Sequence, residues 1–276
     1  MASVDEKIQK TIDDFTLMDN LFFHHFFAAC PKGLEKVISI CLDDDKVKLK
    51  SMTIEKEITN IEAHSIRMDA RAILMDRKHV DLEVQNGSFK EMKRRAKFYL
   101  GALVFNSLPK NEDYTNMPDS YFICILDKDY WKGGYEKYET LDNVAYKQSF
   151  PEVDENQCHI IYINGQADSE TAIGYLMRDF RCTSYEDMYY NVLKERMRDI
   201  KSPEGRKEMY SKIREIFSEE IKQGVEQGIE QGIEQGIVQG REQYRDETIQ
   251  KMKRKGLTNE QISNFTDIPL DIVQAI

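Results

Sequence analysis

Two acids in this chain have the type and spacing to do chemistry together: Asp69, and Glu83 within the segment Leu82-Glu83-Val84-Gln85. Carboxylates brought close remain ionised most easily when they share a cation. Asp69 and Glu83 would hold Mg²⁺, with Mn²⁺ as its substitute, and the backbone carbonyl of Val84 would be a further ligand. Such a metal polarises a phosphoryl oxygen, lowers the pKa of its bound water and stabilises the departing oxygen, which suits phosphodiester hydrolysis. Gln85 would sit beside that water. An amide is no useful base near neutral pH, so Gln85 orients rather than deprotonates. Arg95 or Arg67 would offset the growing negative charge. The catalytic set is thus Asp69, Glu83 and Gln85. By spacing alone the pattern also fits a solvated sheet face, and both readings stay open.

The acids need elements that make them converge. Residues 71–75 carry Ala72, Ile73, Leu74 and Met75 as one short strand, and Asp76-Arg77-Lys78 supplies a tight polar turn. Residues 79–85 then alternate, with Val80, Leu82 and Val84 on one face and Asp81, Glu83 and Gln85 on the other. In a hairpin of this size both ends reach one sheet edge. A helix is predicted over 88–108, with Phe89, Met92, Ala96, Tyr99, Leu100 and Leu103 on one stripe. Its other side holds Lys90, Lys93, Arg94, Arg95 and Lys97, the densest basic patch in the chain. Read alone, the patch is equally a solvated helix face. Coming directly after the acids, Lys90, Lys93, Arg94 and Lys97 are candidate DNA contacts.

Around this lie a helix, or two broken near Pro31, over 17–42, an edge strand over 46–53, and buried strands at 121–126 and 159–163. A loop over 127–140 carries the single tryptophan, Trp131. Glu35 reads as a surface acid near a helix start, and His24-His25 as packing beside Phe23 and Phe26. This order predicts an α/β fold. With 276 residues, 41% hydrophobic content and no apolar run long enough to span a bilayer, the chain is expected to be globular, cytoplasmic and without membrane contact. Five scattered cysteines suggest neither a disulfide framework nor a zinc cluster. A net charge of −10 argues against a general nucleic-acid coat protein but allows a local basic groove.

Beyond residue 170 the chain turns helical, with a break at Pro203. Gly224, Gly228, Gly232, Gly236 and Gly240 recur every four residues, as do Val225, Ile229, Ile233 and Ile237. In a helix each class forms a slowly winding stripe. Interior glycines each cost about 1 kcal/mol relative to alanine, so such a helix wants a partner. Self-association and a semi-flexible linker are the two readings. Residues 246–276 form a small helical tail, with Gly256 ending one helix and a capping box from Thr258 to Gln261 opening the next. No Lys or Arg follows Lys255, which favours protein contact over DNA reading.

Taken together, the Asp69 run, Leu82-Glu83-Val84-Gln85, the helix with Arg95-Ala-Lys-Phe-Tyr99, the strand at 121–126, Leu176-Met-Arg-Asp-Phe180 and the glycine-periodic tail resemble the PD-(D/E)xK nuclease-like transposases, relatives of the recombination-promoting nucleases. The likeness covers about residues 15–245. It implies a restriction-endonuclease-like core, a mixed central sheet flanked by helices, with an all-α C-terminal extension. It also implies Mg²⁺-dependent DNA cleavage linked to recombination or transposition. Asp69 and Glu83 match the metal acids and Gln85 the lysine position. Arg95 and Tyr99 match the following helix, and Glu35 the acid such folds often carry on their first helix. Met68 stands where the motif has proline. The expected organisation is a nuclease-like core over 1–175, a helical extension over 176–222, a repeat helix or linker over 223–245 and a tail over 246–276. The expected partners are DNA and, through 223–245, a second copy. The alternative is a catalytically silent scaffold of the same fold.

Overall fold

The computed structural model describes residues 4–58, 65–87, 91–140 and 158–276. Its contacts divide the chain into two compact units, Met1–Tyr210 and Ser211–Ile276. In the first, a six-stranded sheet has the order β1-β2-β3-β4-β6-β5. The strands are β1 (Leu49–Ile58), β2 (Ile66–Leu74), β3 (His79–Gln85), β4 (Ser120–Leu126), β5 (Lys137–Glu139) and β6 (Cys158–Asn164). β1, β2 and β3 form an antiparallel meander, β3, β4 and β6 run parallel, and β5 closes the far edge antiparallel to β6. The hairpin predicted at 71–85 is present, but its first strand starts earlier, at Ile66, so Asp69 lies within it. Arg77 makes the turn in the left-handed region, at φ 74°.

α4 (Met92–Phe105) packs on one face of the sheet. Met92, Ala96, Tyr99, Leu100 and Leu103 meet Phe122, Cys124, Leu126, Ile160 and Tyr162, the alternate residues of β4 and β6. That stripe is the one read from the sequence. The expected first turn of the helix, 88–90, lies outside the described residues. α1 (Val4–Asp14), α2 (Asn20–Ala28) and α3 (Pro31–Leu42) come first in the chain, with Pro31 opening α3 at the break expected there. α2 is buried from Phe22 to Phe27, its two histidines included. Phe22, Phe23, Phe26 and Phe27 are inaccessible to solvent, and α2 touches β1, β2 and β3. α5 (Ala172–Arg181) adds Phe180 to this phenylalanine cluster, and α6 (Asn191–Lys201) packs on α2 and α3. Covered by helices and flanked by strands, β3 is buried along nearly its whole length. Its polar alternation therefore marks buried acids, not a solvated face.

α7 (Pro203–Arg254) runs unbroken through the glycine repeat. The second unit also contains α8 (Asn259–Thr266) and α9 (Leu270–Ala275), which close a small core of Ile249, Ile262 and Val273. The capping box of Thr258 and Gln261 is formed, and Gly256 adopts φ 86°.

Candidate active site

The paired register of β2 with β3 ends at Ala70 opposite Leu82. One residue further, Asp69 and Glu83 stand opposite each other, and their side chains take over the cross-strand bonding. The Asp69 amide donates to Glu83 Oε1 at 2.8 Å, and the Val84 amide donates to Asp69 Oδ2 at 3.1 Å. Each acid thus binds the other's strand, which holds both carboxylates at the rim where the hairpin opens. Asp69 is 7% and Glu83 2% exposed, so neither is the solvated acid that strand alternation would suggest.

Two helices complete the site. From α4, Arg95 donates to Glu83 Oε2 at 3.2 Å and to Gln85 Oε1 at 3.3 Å. Tyr99, one turn on, lies 3.0 Å from the Arg95 guanidinium and donates to the Arg67 carbonyl at 3.3 Å. From α2, His24 places Nε2 at 3.0 Å from Asp69 Oδ1 and Nδ1 at 3.1 Å from Glu55 Oε1. Burial first, and then the charge of Asp69, push the Glu83 carboxyl up to about 8, against the pull of the Asp69 amide, Arg95 and Arg67.

The structure therefore brings together Asp69, Glu83, Val84, Gln85, Arg95, Tyr99 and the backbone of Arg67. Val84 enters through its amide. Glu35 is not brought to them. It accepts from Lys48 Nζ at 2.7 Å and from the Leu49 amide at 3.0 Å, and so anchors the start of β1. The basic side of α4 is divided. Arg95 turns to the acids, Lys93 and Lys97 line a separate cavity with Trp131, and Arg94 is exposed. Lys90 lies outside the described residues.

Two buried neighbours of the acid pair were not found by sequence reasoning. His24 does stand edge-on to Phe23, with ring centroids 6.1 Å apart, as packing predicts, yet its ring nitrogens serve carboxylates. The available signal was a pair of imidazoles inside an otherwise apolar helix. Asp81 is the other. It is fully buried, and neither carboxylate oxygen has a hydrogen-bond partner among the described residues. Burial, then Glu83 and Asp69, raise its pKa far above the ordinary carboxylate range. Across the ladder it faces Arg71.

The donor set suits a hard divalent cation. An octahedral ion takes one or two carboxylates and keeps several waters. A cation between Asp69 and Glu83 would relieve the repulsion that raises the Glu83 pKa. Among the described residues no three His, Cys, Asp or Glu side chains converge as a ligand set, so any such ion would rely on water and backbone oxygens besides the two acids.

With the acids placed, comparison with known proteins identifies the class. Residues 33–171 match the family described as PD-(D/E)XK nuclease family transposase, half of the chain. The chain belongs to that family, and its mixed sheet with flanking helices is consistent with the PD-(D/E)XK nuclease-like α/β fold. Nucleases of this kind generally use divalent metals. No curated protein and no solved structure matches the chain. Among the described residues no helix is long and apolar enough to cross a membrane.

Proposed function

We propose that this protein is a Mg²⁺-dependent DNA endonuclease that hydrolyses phosphodiester bonds in recombination or transposition, with Mn²⁺ able to replace Mg²⁺. The observation that carries the reading is that Asp69 and Glu83 each accept from the other's strand, which fixes two buried carboxylates on neighbouring strands, one of them beside a guanidinium. Asp69 and Glu83 would hold the cation, and the Val84 carbonyl would be a further oxygen ligand. When bound, the cation supplies Lewis-acid polarisation of the phosphoryl oxygen and lowers the pKa of water at the site.

The side chains do the rest. Arg95 keeps Glu83 and Gln85 in register and offsets the negative charge that grows on the phosphoryl group. Gln85 occupies the lysine position of the motif and orients the attacking water through its amide. His24 restrains Asp69 from the opposite helix layer. Tyr99 restrains Arg95.

Supercoiled plasmid incubated with Mg²⁺ tests this. Wild type should nick it, EDTA should stop the reaction, and Asp69→Ala and Glu83→Ala should be inactive. Equal nicking by all three proteins would overturn the assignment. Separately, Ile233, Ile237 and Val238 on α7 are exposed, and a Cβ at Gly236 or Gly240 would meet only open space. This supports self-association through residues 223–245. Ile233→Glu with Ile237→Glu should lower the mass measured by light scattering to that of one chain.

A further inference from the structure

The face of α4 that turns away from the acids borders a cavity of about 350 Å³, lined by Lys93, Lys97, Trp131, Tyr138, Ile160 and Tyr162 together with Glu139 and Thr140. Its aromatic side is built, not incidental. Asp129 Oδ1 accepts from the Trp131 amide at 3.1 Å, the Lys132 amide at 2.9 Å and the Tyr138 hydroxyl at 2.8 Å, while Oδ2 accepts from the Gly134 amide at 2.8 Å. One carboxylate therefore fixes the loop carrying Trp131 to the strand carrying Tyr138. The Trp131 ring lies 4.7 Å from Tyr138 and 4.9 Å from Tyr162, centroid to centroid. Lys93 Nζ stands 5.8 Å from its centroid.

The charge balance favours an anionic ligand with a flat apolar part. Among the described residues neither Lys93 nor Lys97 has a carboxylate partner, whereas Glu139, the acid at the rim, pairs with His159 at 3.0 Å. Aromatic rings beside unpaired lysines are how single-stranded nucleic acid is held: bases stack, and ammonium groups follow the phosphates.

The register also sets the reach. Glu83 pairs with Cys124, and Cys124 with Tyr162. At about 4.8 Å per strand the Glu83 and Tyr162 backbones lie roughly 10 Å apart across the sheet, with α4 packed over Cys124 between them, so one strand touches both the acids and the cavity by passing round α4.

We propose that this cavity is a nucleobase subsite, which takes an unpaired base of the strand that passes round α4 from the acid pair, so that the substrate is DNA with single-stranded character near the cut. The proposal rests on the nuclease reading of the acid pair. An unpaired or displaced strand reaches the subsite without loss of base pairing, while an intact duplex must first give up a stacked pair.

Trp131 is the sole tryptophan, so intrinsic emission reports on the cavity. Whole protein in EDTA is titrated with a twelve-nucleotide oligothymidylate and, separately, with a blunt duplex of the same length. Anisotropy of a labelled strand gives binding independently. The single strand should quench Trp131 saturably, with a midpoint at least about tenfold below that of the duplex. The surface pair Lys93→Ala with Lys97→Ala should raise the midpoint about tenfold. Trp131→Phe should keep the anisotropy signal that Trp131→Ala weakens. The proposal is overturned if the duplex quenches at the same concentration, if the strand binds by anisotropy without changing Trp131 emission, or if it does not bind. Loss of plasmid nicking with quenching intact would remove the nuclease reading and leave the subsite standing. Nicking of duplex plasmid with Trp131 silent would remove the subsite alone.

Discussion

Glu83 and Asp81 are two residues apart on β3 and both almost wholly buried, yet the fold treats them oppositely. Glu83 has an amide on one oxygen and a guanidinium on the other. Asp81, deeper under α4, has no donor on either oxygen among the described residues. The difference lies in the ladder. At Glu83 the strands part, which frees the Asp69 amide and lets Arg95 in from the rim. At Asp81 the pairing with Arg71 is intact and the backbone donors are already committed to the sheet. A carboxyl in this fold finds donors for both oxygens where the sheet opens, and none among the described residues one pleat further in.

The largest test of that contrast is catalytic. Glu83→Gln and Asp69→Asn should lower plasmid nicking by about 10²–10³-fold or more, while Asp81→Asn should stay within about threefold of wild type. Comparable losses in all three would erase the distinction. Next comes the guanidinium: Arg95→Ala should slow nicking by about ten- to a hundredfold, and Arg95→Lys should recover little, because a point charge cannot bridge Glu83 and Gln85 as the planar fork does. Stability sharpens the comparison from the other side. An unsatisfied buried polar group costs about 1–3 kcal/mol, so Asp81→Leu should leave thermal stability equal or higher. Glu83→Leu, which strands the Asp69 amide and Arg95, should lower it.

The smallest effect is in pH. The folded-state pKa of Glu83 lies above its ordinary value, so the folded protein keeps a proton that the unfolded chain gives up. Its contribution is fully present below about pH 4.5 and is lost as pH rises towards about 8. In EDTA the melting temperature should fall across that window. Glu83→Gln should flatten the slope, and saturating MgCl₂ should restore stability at pH 8 in the wild type only.

Much of this arrangement could be read from the residues. Alternation around a polar turn gave the hairpin, and helical spacing from Met92 to Leu103 gave the buried stripe of α4. Together they brought Asp69, Glu83, Gln85 and Arg95 towards one place, while Tyr99 joined them only through the family resemblance. What could not be read depends on partners distant in the chain. Alternation along 79–85 suggests a strand with one wet face, and nothing within those residues tells that α4 covers it. Glu35 reads locally as a surface acid and is linked to the site only by the family resemblance, and Lys48 and the Leu49 amide claim it. His24 sits among phenylalanines, and its link to Asp69 exists only once α2 lies across the sheet. Glycines likewise left a repeat helix and a linker both open over 223–245, and α7 runs through them as helix.

The bond from His24 to Asp69 has a consequence for where the working unit begins. The stretch shared with the family starts at residue 33, after α2 has ended. A fragment cut to that stretch would keep both acids but leave Asp69 without its imidazole. It would also strip the phenylalanine layer from beneath the hairpin and remove Phe180, which closes that layer from beyond residue 171. The smallest piece able to hold the acid pair in place is therefore longer at both ends than the recognisable motif.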